Sequence, residues 1–271
     1  MSKSLNLRMK NTVFSTNMLV SICIGVFLLT WNYVFNLIIY NLAIGSLSFK
    51  DMGSIFLDDI YNAHARSGFD LFAPILAVLP ATTLFCEDYN SGYIKSILGR
   101  AEKKRYISET TICSTIAGGL AIFIPSLISS FLYIANGKLN TVENRAIDYS
   151  TVFDETVFSK LQFVWDGLLL VILLLLLSFL FGAIWSNIGL CISAMIPNRY
   201  IALAAPFAVY FATHLIFYRI GFLLVLSPVN TLMPTATFIP NMAFPFVYQA
   251  VLFIIVAFAC QRVIERRLKN V

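Results

Sequence analysis

Residues 165–196 of the chain read WDGLLLVILLLLLSFLFGAIWSNIGLCISAMI, and the only charge in this run is the aspartate near its start. A helix of this length measures about 48 Å, whereas the hydrocarbon core of a bilayer is about 30 Å thick. The run therefore predicts a membrane-spanning helix that tilts, bends or extends beyond the membrane. Pro197 should end it, and Asn198 and Arg199 leave room only for a tight turn into the next apolar segment.

The composition of the whole chain indicates the same environment. The 271 residues are 59% apolar and 12% charged, with a mean hydropathy of +0.81. Soluble domains are about 45–50% apolar and about 25% charged. A soluble fold could not bury so much apolar surface. The predicted fold class is therefore an all-α polytopic membrane protein.

Six segments are apolar enough to span a bilayer, which takes about 20 residues in a helix. The first is longer than the apolar core of a signal peptide and is not followed by a small-residue cleavage pattern, so we expect it to be retained. After the fifth segment, an apolar stretch with four prolines predicts a re-entrant element instead of a straight helix. The six predicted spans cover residues 17–40, 68–86, 109–135, 165–196, 200–218 and 245–261.

The basic residues predict the orientation of the chain. Most of the 19 lysines and arginines fall in segments that share one side if six spans are present. Cytoplasmic segments of membrane proteins carry such an excess, so we expect both the N- and C-termini in the cytoplasm. The first 16 residues are basic and amphipathic, which predicts an interfacial helix before the first span. A disordered basic tail is the alternative.

The sequence lacks the motifs of common enzyme sites. It contains no phosphate-binding loop, no His-Glu-x-x-His zinc motif and no Gly-x-Ser-x-Gly elbow. His64 and His214 are its two histidines, and its five cysteines form no Cys-x-x-Cys pair. A metal site is difficult to build from these residues. We therefore expect no catalytic residue, no metal and no cofactor bound directly by the chain, and no nucleic-acid partner.

Polar residues inside the predicted spans are candidates for a translocation path. Asn32 and Asn36 share a face of the first span, and His214 shares a face of the fifth with Tyr218. The alternatives are hydrogen bonding between helices for the asparagines and an interfacial anchor for the histidine. Small residues four apart predict close helix packing in the third and fourth spans, at Ser114 and Gly118, Gly182 and Ser186, and Gly189 and Ser193.

The strongest candidate site is the polar segment 87–107 between the second and third spans. Residues 86–105 read CEDYNSGYIKSILGRAEKKR, which combines five basic residues with an apolar stripe. A short helix over 91–98 would place Ile94, Ile97 and Leu98 on one face. A simple return loop needs the charges but not the stripe, so we expect a helix that docks on a protein at the membrane surface. A basic loop that contacts anionic lipid head groups is the alternative.

The order of residues in and around this segment is shared with a known family. Phe85, Glu87, Gly92, the stripe from Ile94 to Leu98, and Arg105 follow one another as in the cytosolic motif of the ABC type-2 exporter permeases, which the chain resembles. Other parts of the chain also resemble that family, namely residues 181–199, residues 226–230 and the basic tail 262–269. The chain departs from the family pattern at Ala101-Glu102 and Glu109, where a proline and a lysine are often found.

The resemblance implies a single ABC type-2 transmembrane domain over residues 1–271, the permease subunit of an ATP-driven exporter in a bacterial cytoplasmic membrane. Two permeases, identical or related, would pair with two copies of a separate ABC ATPase that binds ATP and Mg. Permeases of this size often serve antimicrobial peptides, and others move lipids, polysaccharides or drugs. The alternatives are a non-transporting immunity or sensor protein and an intramembrane enzyme. The implied ATPase-coupling residues are Glu87, Gly92, Tyr93, Ile94, Ile97, Leu98 and Arg105.

Overall fold

The computed structural model describes residues 3–44, 67–98, 103–136, 168–232 and 243–269, and these are helical with no strand among them. Four of the helices are long and apolar enough to cross a membrane. A fifth span is present if the first two helices, which meet at 44°, count as one. The expectation of an all-α fold is confirmed for the described residues, with four to five helices that could span a membrane, whereas six spans, the side of the termini and the re-entrant element stay predictions.

One helix lies at the centre of the bundle. This is α7, which packs against α6, α10, α8 and α3. The four long apolar helices are α6, α7, α8 and α10. In chain order the elements are α1 Lys3–Val13, α2 Thr16–Ile44, α3 Phe69–Val78, α4 Leu84–Asn90, α5 Tyr93–Leu98, α6 Lys103–Asn136, α7 Leu168–Met195, α8 Arg199–Ile220, a 3-10 helix Phe222–Leu226, α9 Pro228–Leu232 and α10 Ala243–Lys269.

The second predicted span is broken. Where a continuous helix over 68–86 was expected, α3 and α4 are separated by a turn over 79–83. Pro80 contributes to the break because it has no N–H to donate to the carbonyl of Leu76. The hydroxyl of Ser21 in α2 donates to that carbonyl at 2.8 Å instead. The break is therefore stabilised by a neighbouring helix.

Two of the long helices extend beyond their predicted bounds. α6 begins at Lys103 instead of residue 109, and α10 continues to Lys269 instead of ending at 261. Both extensions are rich in charge, so a count of apolar residues did not include them. Cations in the last turn of α10 are favourable because they face the negative end of the helix dipole.

The turn between α7 and α8 is as short as the sequence predicts. α7 ends just before Pro197, and the side chain of Asn198 caps α8 by accepting the N–H of Tyr200 at 2.9 Å. The amide of Asn90, the last residue of α4, donates to the carbonyl of Pro197 at 3.2 Å. The turn and α4 therefore lie at the same end of the bundle.

The apolar stretch after α8 is broken as predicted, but the break begins at Gly221, before the first of its prolines. Gly221 adopts a φ of +66°, and the 3-10 helix and α9 follow within a few residues. Pro228, Thr231 and Leu232 are buried, and α9 packs against α7 and α8. Residues 233–242 of the predicted re-entrant element lie outside the described residues.

Small residues bring α6 and α7 together, as their spacing predicts. A Cβ atom on Gly182 would lie 2.2 Å from the backbone oxygen of Gly118. The hydroxyls of Ser114 and Ser186 share a hydrogen bond of 2.8 Å at the same interface. The two predicted motifs therefore meet each other within one chain.

The next two small residues of α7, Gly189 and Ser193, face the broken second span formed by α3 and α4. A Cβ on Gly189 would lie 2.7 Å from Oγ1 of Thr82, in the turn after α3. The hydroxyl of Ser193 lies 3.0 Å from Sγ of Cys86 in α4. α7 thus contacts α4 and the turn before it, which places the polar segment against the end of the bundle.

Candidate functional site

The polar segment forms two short helices at one end of the bundle. α4 and α5 are joined by Ser91 and Gly92. Gly92 has a φ of +71°, a left-handed conformation that glycine adopts at little cost. The predicted helix over 91–98 therefore begins two residues later, and the junction before it depends on glycine.

An apolar cluster joins this segment to the long helices, and we call it the end cluster. α6 contributes residues near its N-terminus, and α7 and α10 contribute residues near their C-termini. These helix ends therefore meet at one end of the bundle, together with α4 and α5. The end cluster consists of Phe85, Ile94, Tyr106, Ile107, Leu190, Ala194, Cys260, Ile264 and Leu268.

Ile94 is buried inside the chain, whereas the predicted docking face required it at the surface. Its side chain is 1% exposed and belongs to the end cluster, whereas Tyr93 is 53% exposed. Lys95 is exposed as well. The prediction that Ile94 faces outward is wrong, because the chain uses this side chain for its own packing. The side chains of Ile97 and Leu98 lie outside the described residues.

An ion pair fixes α4 to the N-terminal helix. Nη2 of Arg8 contacts Oδ2 of Asp88, and the two side chains are only 15% and 16% exposed. The hydroxyl of Tyr106 donates to the same carboxylate oxygen at 2.9 Å. Nη1 of Arg8 donates to Oγ1 of Thr110, and the guanidinium lies 4.8 Å from the centre of the Tyr106 ring. Asp88 is therefore bound by donors from α1 and α6 of its own chain.

The surroundings of Asp88 act on its ionisation in opposite directions. Burial raises the pKa of this carboxyl above its usual value, and the positive charge of Arg8 and the Tyr106 hydroxyl counteract that shift. Arginine stays protonated over the whole pH range in which proteins fold. Protonation of Asp88 is therefore the titration that removes the ion pair.

A second arginine holds α4 from the C-terminal helix. The guanidinium of Arg267 lies 4.9 Å from the centre of the Tyr89 ring, and its Nη2 donates to the Tyr89 hydroxyl at 3.2 Å. The Tyr89 ring also stacks on Phe85. Close by, Nζ of Lys103 donates to the carbonyl of Leu268 at 3.4 Å. A cation at this position stabilises the last carbonyls of α10.

The remaining charged residues of the predicted coupling set lie at the surface. Glu87 is exposed on α4. Arg105 is exposed on α6, with its Nε 3.0 Å from Oε1 of Glu109. Glu109 is one of the positions where the chain departs from the family pattern. A pair four residues apart on a helix contributes only about 0.3–0.5 kcal/mol, so it does not hold the segment in place.

Of the residues predicted for a translocation path, the structure describes one side chain. His214 shares a hydrogen bond of 2.7 Å between its Nδ1 and the hydroxyl of Ser227. This bond connects α8 to the start of α9 and fits the alternative interpretation of His214 as an anchor. The side chains of Asn32 and Asn36 lie outside the described residues.

The two arginine contacts were not predicted from the sequence. Arg8 and Asp88 are 80 positions apart, and Arg267 and Tyr89 are 178 apart. The sequence contained one signal. Asp88 comes just after the second predicted span (68–86), at the helix end where the dipole disfavours an anion. That position predicts a compensating cation but does not identify it.

The site therefore presents an exposed surface on α5 whose supports are internal to the chain. No protein family, curated protein or solved structure matches the chain. In the part of the chain that the structure describes, no group of three or more His, Cys, Asp or Glu residues is placed to hold a metal ion. The geometry is that of a firmly held projection at the end of a membrane bundle.

Proposed function

We propose that the chain is the transmembrane permease subunit of an ATP-driven ABC exporter, with ATP and Mg bound by two copies of a separate ATPase. The observation that carries the proposal is the arrangement of α5. Its Ile94 is fixed in the end cluster, while Tyr93 and Lys95 are exposed beside it. A projection that is anchored to several long helices can receive a force from a soluble partner and pass it to those helices.

The distribution of charge supports a cytoplasmic position for this end. Exposed lysines and arginines from α5, from the start of α6 and from the end of α10 collect around the end cluster, and cytoplasmic segments attract such an excess. α1 reaches the same end through Arg8, and α10 reaches it through Arg267. Two termini at the same end of the bundle fit an even number of membrane crossings. The chain crosses six times if α2 and the broken pair α3–α4 each cross once, in addition to α6, α7, α8 and α10.

The exposed faces of α8 and α10 support the remaining parts of the assembly. Only 17% of the apolar window of each helix is buried inside the chain. Lipid and a second permease, identical or related, would cover these faces. The cargo, such as an antimicrobial peptide or another amphipathic molecule, would cross between the two permeases, and the broken stretch after α8 would form the re-entrant element at the outer side.

Co-purification with the candidate ATPase tests the proposal. The tagged chain is expressed together with candidate ABC ATPases from the same genome, and we expect a stable complex with one of them that hydrolyses ATP. Changing Tyr93 and Lys95 together to alanine should remove the ATPase and leave membrane insertion unchanged. The control is Phe211→Ala, which alters an aromatic side chain that is 43% exposed on α8. A chain that never retains an ATPase would contradict the proposal.

A further inference from the structure

α4 is held by both ends of the polypeptide at two consecutive residues. Asp88 is bound by Arg8 from the N-terminal helix α1. Tyr89, the next residue, is bound by Arg267 from the last turn of α10. Two arginines that are distant in sequence thus contact one short helix.

The short helices need such support because they are not stable by themselves. α4 has 7 residues and α5 has 6. Isolated helices shorter than about 12–15 residues are marginal in water. A Cβ at Gly92, between them, would meet no atom within 4 Å, so packing does not restrain this junction. Their order must come from contacts with α1, α6, α7 and α10.

We propose that Arg8 and Arg267 are positioning residues that clamp α4, so that a load that reaches α4 from α5 passes into α6 and α10 instead of displacing α4. The source of the load rests on the proposed function. The clamp itself is a property of the chain and can be tested without any partner.

The two contacts differ in strength. Arg8 forms an ion pair, a hydrogen bond to Thr110 and a cation–π contact with Tyr106, so three of its interactions hold α1, α4 and α6 together. Arg267 stacks on a ring and bonds a neutral hydroxyl, and its buried Nε has no hydrogen-bond partner among the described residues. The contact of Arg8 with Asp88 joins two opposite charges, whereas the contact of Arg267 with Tyr89 has only one charged partner. Loss of Arg8 should therefore loosen α4 more than loss of Arg267.

Hydrogen–deuterium exchange on the full chain in nanodiscs, with no ATPase present, tests the clamp. We expect Arg8→Ala to accelerate exchange of the α4 and α5 amides by about tenfold or more, and Arg267→Ala to accelerate it less. Lys10→Ala and Arg266→Ala are matched controls, since each removes one exposed cation from the same two helices. Arg8→Lys should restore part of the protection, because lysine keeps the charge but not the second hydrogen bond. Tyr89→Phe should act weakly, because the ring remains under Arg267.

The outcomes separate the clamp from the proposed function. Equal exchange in Arg8→Ala and Lys10→Ala would overturn the clamp, as would a global acceleration that includes the α6 and α7 core. In the complex with the ATPase, the clamp predicts that Arg8→Ala and Arg267→Ala bind the ATPase as tightly as the unchanged chain but stimulate its ATP hydrolysis less than the unchanged chain does. If exchange at α4 and α5 is faster in both variants but hydrolysis is unchanged, the proposed transmission of load through the clamp is wrong. If no complex forms, the proposed function fails while the exchange result stands.

Discussion

Gly182 and Gly118 show how single residues set the distance between the two central helices. A Cβ on Gly182 would meet the backbone of Gly118, which cannot move without displacing α6. A Cβ on Gly119 would instead meet the ring of Phe179, at 2.5 Å from Cε2, and a ring can rotate away. Glycines in one helix pair therefore differ in the cost of adding a methyl group.

We expect Gly182→Ala to lower the free energy of unfolding by about 1–3 kcal/mol, because it overpacks a backbone contact. Gly119→Ala should cost less, since alanine gains about 1 kcal/mol of helix propensity over glycine, which offsets the shift of the ring. Thermal unfolding of the purified variants in one detergent measures both. Equal losses would mean that the α6–α7 interface is looser than the structure shows.

Ser21 has a role that is linked to Pro80. The serine donates to the carbonyl of Leu76, which the proline leaves without its helical donor. Ser21→Ala should destabilise the chain by about 0.6–2 kcal/mol, the range for hydrogen bonds between membrane helices. In a Pro80→Ala background the same change should cost less, because an N–H is available again. Thr30→Ala is the control, since this hydroxyl bonds Val26 of its own helix. If Ser21→Ala lowered the stability equally in the unchanged chain and in the Pro80→Ala background, the serine would not compensate for the proline.

The pH dependence of stability should report on Asp88. Burial raises its pKa in the folded chain, so its contribution to stability is present at low pH and is lost as the pH rises through the folded pKa. Asp88→Asn should therefore gain less stability than the unchanged chain between about pH 7 and about pH 4. Arg8→Ala should gain more, because the opposing charge is gone. Thermal midpoints across this range measure the differences, and parallel curves would exclude a titration at Asp88.

At the scale of elements, α5 separates a structural side from an exposed side. Ile94 lies in the end cluster and Tyr93 in solvent. We expect Ile94→Ala to cost about 2–5 kcal/mol, the range for truncating a buried isoleucine. Tyr93→Ala should change stability by no more than about 0.5 kcal/mol. Thermal unfolding of the two variants gives the comparison, and a large loss for Tyr93→Ala would place this ring inside the fold.

The sequence predicted the positions of the helices better than it predicted which residues pack against them. Apolar length located α6, α7, α8 and α10, because each of them is a long run with few charges. It missed the break after α3, because Pro80 and the two threonines of 79–83 lie between apolar residues and do not interrupt the apolar run. The apolar stripe of α5 predicted that Ile94 is covered, but not that its own chain covers it. Contacts between distant residues, such as Arg8 with Asp88, depend on the folded arrangement and leave little trace in local sequence.

In the whole molecule, the described helices form a bundle in which exposed lysines and arginines lie around the end cluster. Both chain ends, the short helices α4 and α5 and the turn between α7 and α8 meet there. The faces of α8 and α10 that do not pack against the chain are apolar and exposed, as expected for lipid or another membrane subunit. The proposed subunit would meet a soluble partner at the end cluster and meet lipid or a second permease along these faces.

Site-specific photo-crosslinking in cells tests directly whether the exposed side of α5 contacts an ATPase. A photoreactive residue replaces Tyr93 on α5 in one variant and Phe211 on α8 in another, and the adducts are identified by mass spectrometry. We expect position 93 to capture a nucleotide-binding ATPase and position 211 to capture lipid or a second membrane subunit. Capture of lipid alone at position 93, with no ATPase at either position, would contradict this expectation.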